Sequence, residues 1–331
     1  MKFICIADVH LSLYSQDNII EGIPRRMYYI NKVLNDIAQY AKDNNIQHIA
    51  IAGDTFHTKS IIHSLAQSML LDYVRSHPDI IFIIIDGNHD MSSKSGDGVS
   101  ALKCLDNEPN VIMIHETREI GNISFVPWHP KKMKKDIKDS KMDYLVSHFG
   151  LNEAMLNSGI SIVSDIGMKD LKHFKKCFIG HYHLPQEIGN VIIPGSIIQL
   201  DWGEKGEKKR FLVIDSKKHT IESVLTKGYQ KHVELEIDKD NKDEVLKEAK
   251  KLKKQGHFIK LLKIDETNFS DIEDSFQIVD RTIKDITNRG INSSMSTEDK
   301  LKSYLKIKEI PEEYHDAYIE QAKIIIDSIG E

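Results

Sequence analysis

The chain of 331 residues carries a formal net charge of −5, with 40% hydrophobic and 29% charged residues. That length allows roughly two or three domains and one sizeable core. The acidic balance excludes a protein that holds nucleic acid by bulk positive charge alone, although local patches matter more than the sum. Cys5, Cys104 and Cys177 are odd in number and lack metal or disulfide spacing, which points to a reducing cytoplasm. No apolar stretch approaches membrane-spanning length, and Phe3–Ala7 is too short for a secretory signal.

In chain order, Lys2–Ala7, His48–Ala52, Ile80–Ile85, Tyr144–Ser147 and Lys176–Ile179 are short, nearly continuous apolar runs. Runs of this kind, rich in Ile, read as strands buried on both faces. Pro24 to Asn44 and Lys59 to His77 are amphipathic helical stretches between the first three, and Pro24 suits a helix start. The alternation implies right-handed crossovers, parallel pairing and helices on the sheet faces. His232–Ile237 alternates as a half-buried strand does, Asn241 to Gln255 is a charged helix ended by Gly256, and His257–Ile264 is a second strand. Residues 265–295 give little signal, and Asn288–Ser294 has linker composition. Ser296 or Thr297 caps a helix with Glu298 and Asp299 in its first turn, and Pro311 opens another.

Each buried run ends in a short ligand motif: Asp8-Val9-His10, Gly53-Asp54, Gly87-Asn88-His89-Asp90, His148, and Gly180-His181-Tyr182-His183. In open α/β sheets, sites form in the crevice beyond the carboxyl ends of the strands, where all five motifs fall. Asp-x-His on an extended segment lets both side chains lean the same way. Mixed carboxylate and imidazole donors suit manganese, zinc or iron better than calcium. The two oxygens of Asp54 suit a bridge between ions, Asn88 offers a neutral carbonyl, and His181 and His183 serve one ion each. His89 is a candidate general acid, because imidazole titrates near neutral pH. Two ions about 3.5–4 Å apart form a clamp for displacement at phosphorus.

These motifs resemble those of the calcineurin-like metallophosphoesterases. More narrowly, the chain resembles the SbcD-type nuclease subunits of double-strand-break repair, and especially their phage recombination endonuclease counterparts. His57 in Gly53-Asp54-Thr55-Phe56-His57, and the segment from Pro194-Gly195-Ser196 to Leu200-Asp201-Trp202-Gly203-Glu204 with Lys205-Gly206, carry the narrower likeness. The resemblance implies an α/β sandwich of mixed sheets flanked by helices, with a small α/β cap and a C-terminal helical tail. It places a nuclease domain at 1–226, a DNA-guiding cap at 227–290, and at 291–331 a helix-loop-helix that docks an SbcC-like ATPase through residues 296–331. It implies that Asp8, His10, Asp54 and His183 hold one metal and Asp54, Asn88, His148 and His181 the other, most simply manganese. His89 becomes the catalytic acid and His57 a phosphate-side helper. The implied activity is exonuclease on duplex ends and endonuclease on single strands, by a cytoplasmic homodimer with no membrane partner. The alternative is a related phosphoesterase acting on phosphoproteins, cyclic nucleotides or small phosphate esters.

Plainer readings stand beside these. Most of the sixteen histidines need no special role, and His129 reads first as a turn residue. Lys131–Lys135, Lys205–Arg210 and Lys247–Lys254 read as solvated faces, with phosphate contact by the second and third as the functional reading. An apolar stripe of Leu301, Tyr304, Leu305, Tyr318, Ile319, Ala322, Ile325 and Ile326 marks the tail as a docking element, or else as helices folded back on the first domain.

Overall fold

Alternation inside each apolar run sets the architecture. In the strand Lys2–Ile6, Phe3 and Cys5 point one way and Ile4 and Ile6 the other, and all four are fully buried. A strand buried on both faces needs a layer on each side of it. The computed structural model describes residues 1–13, 19–58, 61–95, 98–267, 275–282 and 295–329, with the backbone alone for 324–329.

Two six-stranded sheets form the first unit. One runs in the order Thr220–Leu225, Arg210–Asp215, Lys2–Ile6, His48–Ala52, Ile81–Ile85, Val111–Ile114. Its four strands from Lys2–Ile6 onward are parallel, and the two at the other end are antiparallel. The second runs Gln186–Ile188, Val191–Ile193, Lys176–Gly180, Tyr144–His148, Ile123–Val126, Arg118–Ile120, parallel inside and antiparallel at both edges. Phe3, Cys5, Ala50, Ile83 and Ile85 of the first sheet meet Phe125, Tyr144, Val146 and Phe178 of the second, forming the central core.

The outer face of the first sheet, with Ile4, Ile6, Ile49 and Phe82, is covered by Arg25–Asp43 and Ser64–Arg75. Met27, Ile30, Leu34 and Ile37 line one stripe of the longer helix, the spacing of an amphipathic helix. The second helix is shorter than its sequence pattern, because the His63 side chain accepts from Leu65 N–H and caps it there. Leu145, Cys177 and Ile179 on the far side of the second sheet pack with Ile137, Leu171 and Phe174. The result is the expected sandwich of mixed sheets flanked by helices.

Residues 1–233 with 252–258 make up this unit, and 234–251 with 259–331 make up a second. The three-stranded sheet of His232–Ile237, Phe258–Lys263 and Gln277–Asp280 has the helix Lys242–Lys254 between its first two strands. Its third strand lies within residues 265–295, where no local pattern marked it. The linker expected at 288–294 falls outside the described residues.

In the tail, Ser296 Oγ accepts from Asp299 N–H and caps the helix Thr297–Ile307, and Glu298 pairs with Lys302 and with Lys323 of the helix His315–Ile329. Here the docking stripe needs correction. Leu305 and Ile319 are buried, each 5% exposed, while Tyr304, Tyr314 and Tyr318 stand about half exposed at 49%, 52% and 53%. Leu305 and Ile319 are covered, while the tyrosines and Ile307, 44% exposed, face solvent. The side chains of Ile325 and Ile326 lie outside the description. No helix among the described residues is long and apolar enough to cross a membrane.

Candidate metal centre

The loops that carry the predicted ligands are laced together at the strand ends. Asp8 N–H donates to Gly53 O at 3.2 Å, His10 N–H to Asp54 O at 3.0 Å, and Leu11 N–H to Thr55 O at 2.8 Å. Asp90, fully buried, accepts from Gly87 N–H (2.9 Å), Thr55 N–H (3.2 Å) and Phe56 N–H (2.8 Å), so one carboxylate ties the Asp54 loop to the Asn88 loop. Gly87 is required by proximity: a Cβ there would stand 2.1 Å from Asp54 N.

The expectation that Asp8 and His10 sit on an extended segment is wrong. Their φ angles are 53° and 52°, and Asp54 and His181 are also left-handed at 50° and 101°. For residues with a Cβ this backbone costs about 1–3 kcal/mol each and persists where the surroundings enforce it. Beyond the strands the chain curls, and this curl, not a strand's alternation, turns Asp8 and His10 toward the same space.

The predicted ligands form two clusters, and a third group, His57 and His89 with His10, adjoins the first. The ligand atoms of Asp8, His10 and His183 lie within 4.8 Å of one another, as do those of Asp54, His148 and His181. Asp54 Oδ2 is 3.8 Å from His10 Nε2 and 3.3 Å from His148 Nε2, so one oxygen faces both clusters. Asn88 Oδ1 is 3.1 Å from His148 Nε2 and 3.0 Å from His181 Nδ1. The structure therefore brings together all of the predicted ligands.

The donor set fits cations. His148 Nδ1–H donates to Ala52 O at 2.8 Å, which leaves a bare Nε2 facing two oxygen acceptors in the neutral ring. His183 Nδ1–H donates to Glu204 Oε1 at 2.7 Å, and its Nε2 faces His10 Nε2 at 3.0 Å. Lone pairs aimed at lone pairs in a buried site call for a proton or a metal between them.

Charge follows the same logic. Burial opposes ionisation of Asp54, but His148 and His10 outweigh it and hold the carboxyl well below its usual range. Burial would lower His148, yet Asp54 and Asp8 lift it to about 9. Burial pushes Asp8 up to about 6, His181 down to about 4, and His10 well down, leaving the last two neutral and ready to ligate at neutral pH.

The two predicted catalytic histidines adjoin this centre. His89 N–H donates to Asp54 Oδ1 at 2.7 Å, His89 Nδ1–H donates to His57 O at 2.5 Å, and His89 Nε2 lies 4.0 Å from Asp54 Oδ2. His57 stacks on His89 with centroids 5.6 Å apart, and its Nδ1 is 3.2 Å from Nδ1 of His10. Burial lowers the His57 pKa. His129 caps a turn, its Nδ1 accepting from Lys131 and Lys132 N–H.

Within the Lys205–Arg210 run, Lys209 is fully buried against Glu204 and Glu207, and Arg210 pairs with Glu187. Only Lys205 and Lys208 of its four cations are exposed, which corrects the reading of the whole run as a phosphate-contacting patch. Sequence reasoning missed Glu204 and Lys209 as neighbours of the site. A charged residue in a charged run reads as solvated, and only the Ser196 to Glu204 segment hinted otherwise.

His115 sits on the strand-end side of Asp86, with Nδ1 2.7 Å from Asp86 Oδ2 and Nε2 2.9 Å from Asp106 Oδ1. The hydrogen bond that His115 donates to Asp86 raises its pKa to about 9. A folded value above the unfolded one, about 6.5, stabilises fully below that pH, and the contribution is lost as pH rises through about 9. Melting temperature measured from pH 6 to 10 should therefore fall more steeply for the wild type than for His115→Gln. Parallel curves would show that His115 contributes nothing to this pH dependence.

Residues 1–185 match the calcineurin-like phosphoesterase family, and the chain belongs to that family. A DNA double-strand break repair protein Mre11 from Archaeoglobus fulgidus is 23% identical over 241 residues, covering 64% of this chain and 53% of the relative. The chain thus spans about half the length of the curated relative it matches. Similar solved structures include a dimetal phosphatase from Danio rerio (TM-score 0.43, 9% identity, covering 68% of this chain and 99% of that one). An archaeal phosphodiesterase gives a TM-score of 0.36 at 12% identity, covering 68% of this chain and 99% of that one.

Proposed function

We propose that the chain is a two-metal phosphodiesterase that cleaves DNA, as an exonuclease on duplex ends and an endonuclease on single strands. The observation that carries the hydrolytic part is the meeting of two ligand clusters at Asp54 Oδ2 with His89 Nε2 beside them. The DNA part is supported by the likeness to a double-strand break repair protein.

Asp8, His10, Asp54 and His183 would hold one ion and Asp54, Asn88, His148 and His181 the other, and the mixed nitrogen and oxygen donors suit manganese. Such ions supply positive charge that helps water ionise near neutral pH and offsets charge building on the phosphate. The remaining chemistry belongs to the chain. His89 Nδ1–H is committed to His57 O, so a second proton, on Nε2, is the one available to the departing oxygen. His57 fixes that ring by stacking and holds His10 through its Nδ1. Asp54 Oδ1 anchors the His89 backbone.

A second reading, a phosphoesterase acting on smaller esters, is favoured by one observation: two of the four cations in the Lys205–Arg210 run face inward. One assay separates the two. Linear duplex, hairpin and circular single-stranded DNA are offered beside a generic phosphate ester, each with manganese, magnesium or zinc. Manganese-dependent cleavage of the DNAs is expected, and turnover of the ester alone would establish the second reading.

The proposal extends to the rest of the chain: a cap that guides DNA, a homodimer, and a tail that docks an SbcC-like ATPase. Removing residues from Ser296 onward should leave the first unit folded and single-strand cleavage intact while ATPase binding is lost. Because Ile319 is buried, the informative point variants are Tyr304→Ala and Tyr318→Ala. Exposed aromatic anchors typically cost about 2 kcal/mol when truncated at an interface centre. Unchanged ATPase binding after truncation would end the docking idea.

A further inference from the structure

We propose that Glu204, clamped by the buried Lys209, is the positioning residue that aims His183 at its cation, and that the segment from Pro194 to Glu204 exists to build this clamp. The inference rests on the reading of His183 as a metal ligand.

His183 is gripped at both ends. Its ring Nδ1–H donates to Glu204 Oε1 at 2.7 Å, and its carbonyl accepts from Lys209 Nζ at 2.9 Å and from Ser196 N–H at 3.1 Å. Gly195, with φ +79°, passes so close that a Cβ would stand 2.6 Å from that same carbonyl. Glu204 is itself immobilised: Oε2 accepts from Ser196 Oγ and Leu200 N–H, both at 3.0 Å, and from Lys209 Nζ at 2.6 Å. The three ammonium donors of Lys209 go to Glu204, to Glu207 at 2.6 Å and to His183 O. Lys209 is fully buried and Glu204 only 1% exposed.

Taking an ammonium and a carboxylate out of water is unfavourable unless their geometry is well compensated. Here that geometry converges on one imidazole. A carboxylate on Nδ1–H fixes the tautomer, leaves the Nε2 lone pair toward His10, and makes the ring a stronger donor. His148 is oriented by a neutral backbone carbonyl instead, Ala52 O. Loss of Glu204 should therefore affect the Asp8, His10 and His183 cluster and spare the other.

The test is manganese titration of the full chain, read by calorimetry and by the paramagnetic signal of free ion, for wild type, Glu204→Gln, Glu204→Gln/Lys209→Met and His183→Ala. Metal-free melting is followed in parallel. Orienting partners of metal-bound histidines typically contribute about 10–100-fold in affinity. One of two ions should weaken by about that factor in Glu204→Gln and in the double variant, with the second ion bound as in wild type. The double variant, which removes both buried charges, should keep a melting temperature close to wild type, so that weakened binding there cannot come from unfolding. If His183→Ala loses one ion while both Glu204 variants bind two as tightly as wild type, the positioning role is overturned. If His183→Ala itself binds two ions normally, the ligand reading of His183 falls, and this proposal with it.

Discussion

Replacing Asp54 by alanine should remove more bound metal than any other single change. Its Oδ2 faces His10 at 3.8 Å and His148 at 3.3 Å, members of different clusters, so both sites lose a ligand at once. Asp8 is then the one carboxylate left among the ligands, and burial keeps His10 and His181 as neutral imidazoles. Without the Asp54 charge, two adjacent cations would face mutual repulsion with Asp8 as the main compensation. His10→Ala and His148→Ala each touch one cluster and should each cost mainly one ion. Asp54 Oδ1 also anchors His89 N–H, so Asp54→Asn, which keeps a hydrogen-bond acceptor there, separates loss of charge from loss of loop geometry. Elemental analysis after dialysis gives the count. Two ions retained by the alanine variant would sink the bridging assignment.

His89→Ala should give the opposite pattern, with metal retained and turnover lost. General acid work contributes typically about 10²–10⁴-fold, equivalent to roughly 2.7–5.5 kcal/mol in the barrier. His89 Nε2 lies 4.0 Å from Asp54 Oδ2, and its ring is fixed through Nδ1 and by stacking on His57, so proton delivery is its natural task. The defect should therefore depend on the leaving group. Against DNA, whose departing alkoxide needs a proton, the variant should be slow. Against an aryl phosphodiester, whose leaving group needs none, much of the loss should vanish. An equal fall in bound manganese and in activity would make His89 a ligand instead.

The strands were readable because Ile-rich runs such as Ile81–Ile85 are buried on both faces, and only a layered sandwich permits that. The ligands were readable because each follows such a run directly. What decides their geometry was not. Left-handed backbone at Asp8, His10 and Asp54 arises from hydrogen bonds between loops far apart in sequence, which no local pattern records. Lys209 was hidden for a related reason: Glu204 and Glu207 lie in its own charged run, which reads as solvated, and its contact with the carbonyl of His183, far away in sequence, belongs to the fold alone. The strand Gln277–Asp280 is only 4 residues long, too short to show a period. In the tail, helical spacing identified an apolar stripe but could not say which flank faces solvent, and the tyrosines, not Leu305 and Ile319, proved to be exposed.

The proposed chemistry needs two cations side by side with Asp54 between them. Crystals of the full chain grown with manganese, and measured at a wavelength where that metal scatters anomalously, test it most directly. Two peaks about 3.5–4 Å apart are expected, one against Asp8, His10 and His183, the other against Asn88, His148 and His181, with Asp54 touching both. A single peak, or two peaks that Asp54 does not join, would contradict it.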